Sequence, residues 1–136
     1  MEALPEEILV LEKEAVVHWS PCGEGKMPIR QWAKPGAEKV VLLHGGSGSW
    51  LHWARNIPAL REQFDVYAID LPGLGDAAMC EVESDAVSAA RATRIALEQL
   101  LDSAFHVVAF SWGCTVTAMI MKDMTRRLKS VMLTGP

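Results

Sequence analysis

The sequence has 136 residues, of which half are hydrophobic and 22% are charged, so its composition is that of a globular domain rather than a disordered chain. The net charge of −4 argues against binding to nucleic acid or to an anionic membrane surface. No apolar run reaches the ~18 residues that span a bilayer. The start of the chain, residues 1–7 (MEALPEE), is acidic where a signal peptide would be basic. We therefore expect one domain over residues 1–136.

Three cysteines, Cys22, Cys80 and Cys114, are scattered through the chain without metal-type spacing. The three cannot all pair with one another. We therefore predict that the cysteines are reduced thiols in a cytoplasmic protein.

The first elements in chain order are a helix and a hairpin. Residues 4–7 (LPEE) place a proline and two carboxylates in a first helical turn, which predicts a short helix to about Lys13. Residues 15–19 and 27–33 read as two strands, and residues 20–25 (SPCGEG) read as the turn between them.

The middle of the chain begins with its clearest strand, residues 39–44 (KVVLLH), which runs into the glycine-rich loop 45–50 (GGSGSW). The apolar spacing that follows predicts a helix that Pro58 kinks or divides. Residues 65–70 (DVYAID) form the next predicted strand. A turn at residues 71–76 and an undefined loop over 77–83 follow it.

The last third alternates helix and strand. Ser84 or Asp85 caps a predicted helix to about Ser103, with an Arg94–Glu98 pair on its solvent side. A buried strand starts at Phe105. A helix over about 112–126, expected to be largely buried, and a strand over 128–134 complete the pattern. The predicted apolar positions of the two helices are Ala86, Ala90, Leu97, Leu101 and Ala104, then Val116, Met119, Ile120 and Met124.

Strands that alternate with helices after an opening hairpin predict an α/β fold with a mostly parallel, three-layer sheet. Such sheets bind ligands at the carboxyl ends of their strands. Both the loop 45–50 and the serine that follows the strand at Phe105 fall at that edge.

That serine, Ser111, lies in the segment 109–113 (AFSWG) between a strand and a helix. A reversal this sharp strains its central residue and leaves room only for small side chains two positions away, here Ala109 and Gly113. The hydroxyl then projects from the strand end in front of the N–H groups of the next helix. Alone, this pattern is more typical of a serine that opens an ordinary helix.

A nucleotide-binding domain is an alternative. Gly46 and Gly48 follow a strand, and Asp70 ends the next one at about the spacing of a dinucleotide fold. However, Leu51 stands where a third glycine belongs, the loop lacks a P-loop lysine, and Ser111 is left unexplained.

Taken together, three segments resemble the α/β-hydrolase superfamily, from about Ala15 to the end of the chain. They are residues 40–50 (VVLLHGGSGSW), 70–75 (DLPGLG) and 109–113 (AFSWG). The resemblance implies that Ser111 is the nucleophile and that the backbone N–H groups of Gly46 and Trp112 form the oxyanion hole. It also implies that His44 shapes the glycine loop and takes no proton. Trp50 and Trp53 either line the substrate pocket or pack in the core.

The family's fold continues beyond the strand that ends here, with an acid on a later loop and a histidine near its C-terminus. Relative to that pattern this is the N-terminal part of the fold, truncated after the strand that follows the nucleophile helix, and the order Ser, acid, His is incomplete. His18, His52 and His106 do not occupy the family's histidine position.

The resemblance implies a serine hydrolase that acts on an ester, an amide or an activated C–C bond of a small-molecule substrate. It implies no cofactor and no metal, and the sequence leaves the oligomeric state open. The alternative is a truncated or catalytically dead fragment of the same fold, and we expect residues 1–136 to be inactive alone.

Overall fold

The computed structural model of the chain describes residues 4–80 and 85–135. The helices and strands of these residues are, in chain order, α1 (Glu6–Glu14), β1 (Val16–Cys22), β2 (Gly25–Trp32), β3 (Lys39–Leu43), a 3₁₀ turn (Trp50–Trp53), α2 (Ile57–Leu60), β4 (Asp65–Ile69), α3 (Ala86–Leu100), β5 (Phe105–Phe110), α4 (Trp112–Met124), a second 3₁₀ turn (Thr125–Arg127) and β6 (Leu128–Thr134). The first three residues of the predicted acidic start, residues 81–83 of the predicted loop and Ser84 as a possible cap lie outside the described residues.

The strands form one sheet in the order β1-β2-β4-β3-β5-β6. Strands β3, β4, β5 and β6 run parallel, and β1 and β2 join at one side as an antiparallel hairpin. The predicted mostly parallel α/β sheet is confirmed. Because β3 lies between β4 and β5, the loops that follow these three strands meet at one edge.

Apolar side chains cover both faces of the sheet, which gives the three predicted layers. One core packs α3 and α4 against the sheet and includes Phe105, Leu97 and Ile120. The other packs α1, the first 3₁₀ turn and α2 against the opposite face, around Trp32 and Ile57. The central strands are buried on both sides, as their continuous apolar runs require.

The opening hairpin is confirmed, but its predicted turn is wrong. Strand β1 continues through Ser20, Pro21 and Cys22, and Cys22 pairs with Gly25. The turn is therefore only Gly23 and Glu24, with Gly23 at φ 57°. Pro21 is tolerated because β1 is an edge strand, where a missing N–H costs no sheet hydrogen bond.

Three predicted helices differ in detail from the observed ones. Pro58 divides the first as expected, leaving a 3₁₀ turn and the short α2, with the proline in the first turn of α2. Helix α3 is capped by Asp85, whose carboxylate accepts hydrogen bonds from the N–H groups of Val87 and Ser88. The helix ends at Leu100 instead of about Ser103. Helix α4 is only partly buried, since Met119 is 39% exposed.

None of the helices in residues 4–80 and 85–135 has the length and apolar character to cross a membrane.

Strand β6 forms an outer edge of the described sheet and carries exposed apolar side chains. It pairs only with β5, while Met132 is 62% exposed and Leu133 is 43% exposed. Unpaired strand edges with apolar side chains promote edge-to-edge association. We expect residues 1–136 to be poorly soluble, partly molten or dimeric through β6.

Sedimentation velocity over a range of concentrations tests this expectation. Met132→Lys should shift the chain toward monomer, because a charge on an edge strand opposes pairing. Met119→Lys, on the exposed side of α4, is the matched control and should leave association unchanged. A clean monomer with a sharp cooperative melt at high concentration would contradict the expectation.

Candidate active site

Ser111 occupies the strand-to-helix turn that the sequence predicts. It directly precedes α4 and has φ 52° and ψ −112°, values outside the wells that an L-residue normally occupies. Its N–H donates to the carbonyl of Thr134 at 3.1 Å, and its own carbonyl accepts from the N–H of Cys114 at 2.8 Å. The strained conformation is therefore fixed by β6 on one side and by the first turn of α4 on the other.

The small residues around Ser111 are required by close packing. A Cβ atom on Gly113 would lie 2.3 Å from the carbonyl oxygen of Leu43 and 2.8 Å from that of His44. Ala109 is fully buried. Because the obstructing atoms are backbone, a larger residue at 113 would push α4 away from the end of β3.

The glycine loop lies directly against this turn. A Cβ atom on Gly45 would lie 2.7 Å from the ring of Phe110 and 3.2 Å from the Cβ atom of Ser111. One on Gly46 would be 3.9 Å from the Cβ atom of Trp112. The fold thus brings together Ser111, Gly46 and Trp112, the three residues selected from the sequence. Within the described residues, the N–H groups of Gly46 and Trp112 have no hydrogen-bond acceptor.

A buried ion pair holds the far end of the glycine loop. Asp70, at the end of β4, accepts from the N–H of Trp50 at 2.8 Å and from Nη1 of Arg30 at 3.1 Å. Its second oxygen also accepts from the N–H of Asp76 at 3.0 Å. One carboxylate therefore joins the glycine loop, β2 and the loop after β4.

Arg30 itself is almost fully buried and binds three carboxylates. Its Nη2 lies 2.9 Å from Glu12 and 2.8 Å from Asp76, and its guanidinium lies 5.3 Å from the ring centroid of Trp50. Burial alone lowers the pKa of Arg30, but the hydrogen bonds of Asp76 and Glu12 and the charge of Asp70 raise it overall. Arg30 was not among the residues selected from the sequence, although a charged side chain that directly follows Met27, Pro28 and Ile29 in a strand was a signal for it.

His44 is fully buried, and both of its ring nitrogens are engaged. Nε2 accepts from the N–H of Leu71 at 2.9 Å, so Nδ1 carries the proton and donates to the carbonyl of Gly45 at 2.7 Å. Burial lowers the pKa of His44. A neutral ring whose only acceptor is occupied agrees with the loop-shaping role that the resemblance implies.

His52 binds the other side of the same loop. Its Nδ1 accepts from the N–H of Gly45 at 3.1 Å, which places the proton of the neutral ring on Nε2. A Cβ atom on Gly48 would lie 2.1 Å from this ring. The imidazole therefore supports the glycine loop, and its acceptor nitrogen is not available to Ser111.

The remaining two histidines lie away from the turn. His18 pairs with Gln31 in the hairpin at 2.7 Å. His106, at the opposite end of β5, contacts Ser130 at 2.6 Å and Glu38 at 3.2 Å. Ser130, His106 and Glu38 are thus joined in a series of hydrogen bonds. Ser130, however, lies on the exposed edge strand β6, at the end of the sheet away from the glycine loop.

Two depressions lie beside Trp112 and Phe110, the residues next to Ser111 in the sequence. One, of about 260 Å³, is lined by Gly46, Trp112, Met79 and the loop after β4. The other, of about 290 Å³, is lined by His52, Trp53, Phe110 and Thr134. Trp53 therefore contributes both to a pocket and to the core. Trp50 packs in the core alone, with its ring centroid 5.6 Å from that of Trp32.

The structure leaves little support for the nucleotide alternative. Asp70 is buried, and Arg30, Trp50 and Asp76 occupy its oxygens. A ribose hydroxyl has no access to it.

In residues 4–80 and 85–135, no group of three or more His, Cys, Asp or Glu side chains is arranged to hold a metal ion.

Replacing Ser111 by glycine and by alanine should show how much the backbone strain at this position lowers the free energy of unfolding. We expect Ser111→Gly to raise the free energy of unfolding by ~1–3 kcal/mol, because glycine adopts a positive φ without strain. Ser111→Ala keeps the Cβ atom and should change stability little. Urea unfolding of both variants measures this, and equal stabilities for the two would show that the turn is not strained.

A parallel sheet with a serine at a strained strand-to-helix turn, facing a glycine loop, defines the class of protein. Residues 39–136 match the family model described as alpha/beta hydrolase fold. The chain therefore belongs to the α/β-hydrolase fold family.

Curated relatives and solved structures agree with this family. The chain is 38% identical over 92 residues to a soluble epoxide hydrolase of Corynebacterium sp. (strain C12), covering 65% of this chain and 32% of the relative. It is 32% identical over 101 residues to the dihydrolipoyllysine-residue acetyltransferase component of the acetoin cleaving system of Cupriavidus necator, covering 74% of this chain and 27% of that relative. The chain thus spans about a third of the length of these relatives.

Among solved structures, Cfl2 from Burkholderia cenocepacia superposes with a TM-score of 0.78 at 26% identity, covering 88% of this chain and 41% of that one. The naproxen esterase (carboxylesterase NP) of Bacillus subtilis superposes equally well, with a TM-score of 0.78. Its identity is 20%, and the match covers 96% of this chain and 50% of that one, so it supports the fold alone.

Proposed function

We propose that this chain carries the nucleophile and the oxyanion hole of a serine hydrolase that acts on acyl substrates. The observation that carries the proposal is the strained Ser111, held at φ 52° beside Gly46 at the start of α4. Strain at a non-glycine residue persists where the surrounding structure enforces it, which occurs often at functional sites.

In the proposed reaction, a general base takes the hydroxyl proton of Ser111 while its Oγ attacks a carbonyl carbon. The carbonyl electron pair moves to oxygen, and the N–H groups of Gly46 and Trp112 stabilise the resulting oxyanion. In a protease, the loss of one such donor costs about 10²–10³-fold in rate. The tetrahedral intermediate expels the leaving group with the proton, and water then hydrolyses the acyl-enzyme.

A serine nucleophile restricts the substrate class in this family. The named relatives include a soluble epoxide hydrolase. If Ser111 attacked the carbon of an epoxide or a haloalkane, the product would be an ether, which water does not cleave at a carbonyl. An attack on an ester, a thioester or an amide gives an acyl ester that water does cleave. We therefore propose an acyl substrate.

The shape of the site favours an apolar acyl group of modest size. The depression beside Gly46 and Trp112 holds about 260 Å³ and has Leu74 and Met79 in its wall. Apolar walls with a few convergent polar groups are typical of small-molecule sites. We assign the leaving group to the second depression, which is lined by Phe110, the residue before Ser111.

The general base and its acid are proposed to come from outside residues 1–136, as the family resemblance implies. In the described residues the acceptor nitrogens of His44 and His52 are occupied by backbone N–H groups. The same observation favours a second candidate function, in which the chain is a catalytically inactive member that binds ligands without turnover.

Covalent labelling distinguishes the two functions. The test uses a polypeptide that contains residues 1–136 and extends through a complete fold of the family. We expect a fluorophosphonate probe to modify the tryptic peptide 95–122, which contains Ser111, and Ser111→Ala to abolish the labelling. Ser130→Ala, which removes the serine beside His106, is the matched control and should label normally.

Labelling that persists in Ser111→Ala would refute the assigned nucleophile. A folded, extended protein that takes up no label at all would favour the inactive alternative.

A further inference from the structure

Two cysteines that are far apart in sequence meet beneath the loop after β4. Cys22, at the end of β1, donates its Sγ–H to the carbonyl of Ala78 at 3.2 Å. A Cβ atom on Gly23 would lie 2.3 Å from the carbonyl oxygen of Met79 and 3.4 Å from the carbonyl carbon of Cys80. The backbone at Gly23, next to Cys22, therefore contacts the backbone at Met79 and Cys80. Such proximity is needed for a disulfide, whose two Cα atoms lie within about 7 Å of each other.

A cleft gives these two thiols access to small solutes. It holds about 160 Å³ and is lined by both cysteines, Ser88 and Arg91, among others. Cys80 is 8% exposed and Cys22 is 1% exposed. An oxidant the size of hydrogen peroxide that enters the cleft reaches Cys80 before Cys22.

The third thiol is separate. Cys114 lies in α4, where its Sγ is 3.5 Å from the carbonyl oxygen of Ala109 and 3.4 Å from that of Thr134. It does not line the cleft.

We propose that Cys22 and Cys80 form a redox modification site, which hydrogen peroxide converts to an intramolecular disulfide. The Cys80 sulfur attacks one peroxide oxygen and becomes a sulfenic acid, with release of water. The Cys22 sulfur then attacks the Cys80 sulfur, its proton and the hydroxyl leave as a second water, and the S–S bond forms. Two thiols are oxidised by two electrons while one peroxide is reduced.

The electrostatics of the pair agree with this order of events. Burial, and then the neighbouring Cys80, raise the pKa of the Cys22 thiol. Cys22 therefore stays protonated and is a poor first nucleophile toward peroxide. It acts as the resolving thiol.

A disulfide at this site would join the hairpin turn to the segment that carries Met79. Met79 lines the depression beside Trp112, and its Sδ lies 3.0 Å from a Cβ position on Gly73. Oxidation would thus restrict the wall of the acyl pocket, and this consequence alone rests on the proposed function. The formation of the disulfide is tested without any measurement of activity.

The test is thiol counting and peptide mapping of residues 1–136 after treatment with hydrogen peroxide. Each cysteine lies in its own tryptic peptide, at residues 14–26, 62–91 and 95–122. We expect the number of titratable thiols to fall from three to one. Peptide 14–26 should become linked to peptide 62–91, and dithiothreitol should reverse the link.

Cys114→Ser is the matched control and should form the same link, whereas Cys22→Ser and Cys80→Ser should not. Three remaining thiols, a link that includes peptide 95–122, a link between two copies of the chain, or oxidation of Cys80 beyond the sulfenic acid with Cys22 still reduced would each overturn the proposal.

Discussion

Residues 1–136 are expected to hydrolyse p-nitrophenyl acetate and p-nitrophenyl butyrate no faster than background. Without a base, the Ser111 hydroxyl is almost fully protonated at neutral pH and is a poor nucleophile. In proteases that lose a triad member, the oxyanion hole and substrate binding still provide a rate about 10³–10⁴-fold above that in water. Even this remainder should shrink here, because the chain spans only about a third of its curated relatives.

Initial rates with Ser111→Ala as the control check this expectation, since exposed lysines, histidines and cysteines cleave activated esters slowly. Robust hydrolysis by residues 1–136 that disappears in Ser111→Ala would contradict it and would require a local base. His52 is the residue to test next, because the centroid of its ring lies 5.7 Å from that of Phe110 and its Nδ1 accepts from the N–H of Gly45. In that case His52→Gln should abolish the activity.

Arg30→Met is expected to destabilise the fold by about 3–5 kcal/mol, the usual cost of leaving one partner of a buried ion pair uncompensated. The substitution removes the cation that neutralises Asp70, which is 1% exposed. Total stabilities are about 5–15 kcal/mol, so a large part of the stability should be lost. The glycine loop should loosen first, because Asp70 also holds the N–H of Trp50.

Urea unfolding measures the global effect, and hydrogen exchange at Trp50 measures the local one. Arg61→Met is the matched control: Arg61 pairs with Glu14 on α1 at 2.6 Å, but the pair is exposed. Exposed pairs contribute less than about 1 kcal/mol, so this variant should remain near wild-type stability. Equal losses for the two variants would show that the Arg30 network has no special role.

Local signals in the sequence were enough to predict most of the elements. Continuous apolar runs predict β3, β4 and β5, and strands of this kind need both faces covered. Pro58 divides a helical segment because its ring and missing N–H disrupt the preceding turn. Ser111 stands out because a sharp turn leaves room only for small residues two positions away on each side, and Ala109 and Gly113 meet that requirement.

Features that depend on contacts between distant segments were decided by the tertiary structure. The extension of β1 through Pro21 depends on pairing with β2, and the exposure of Met119 depends on which face of α4 packs on the sheet. The burial of Arg30 among three carboxylates depends on α1, β4 and the loop after β4 meeting at one point.

The roles of the histidines and the cysteines also depend on contacts between distant segments. Sequence spacing places His52 after a glycine loop, but only the folded loop brings its Nδ1 to the N–H of Gly45. Cys22 and Cys80 become neighbours only when the loop after β4 packs on the hairpin. The sequence by itself determined the order of the elements, because this order follows from short-range periodicity and turn chemistry. The family and the candidate nucleophile came from the resemblance of three of its segments to the α/β-hydrolase superfamily. Which side chains hold the glycine loop, and which thiols meet, was decided by long-range packing, which local patterns do not encode.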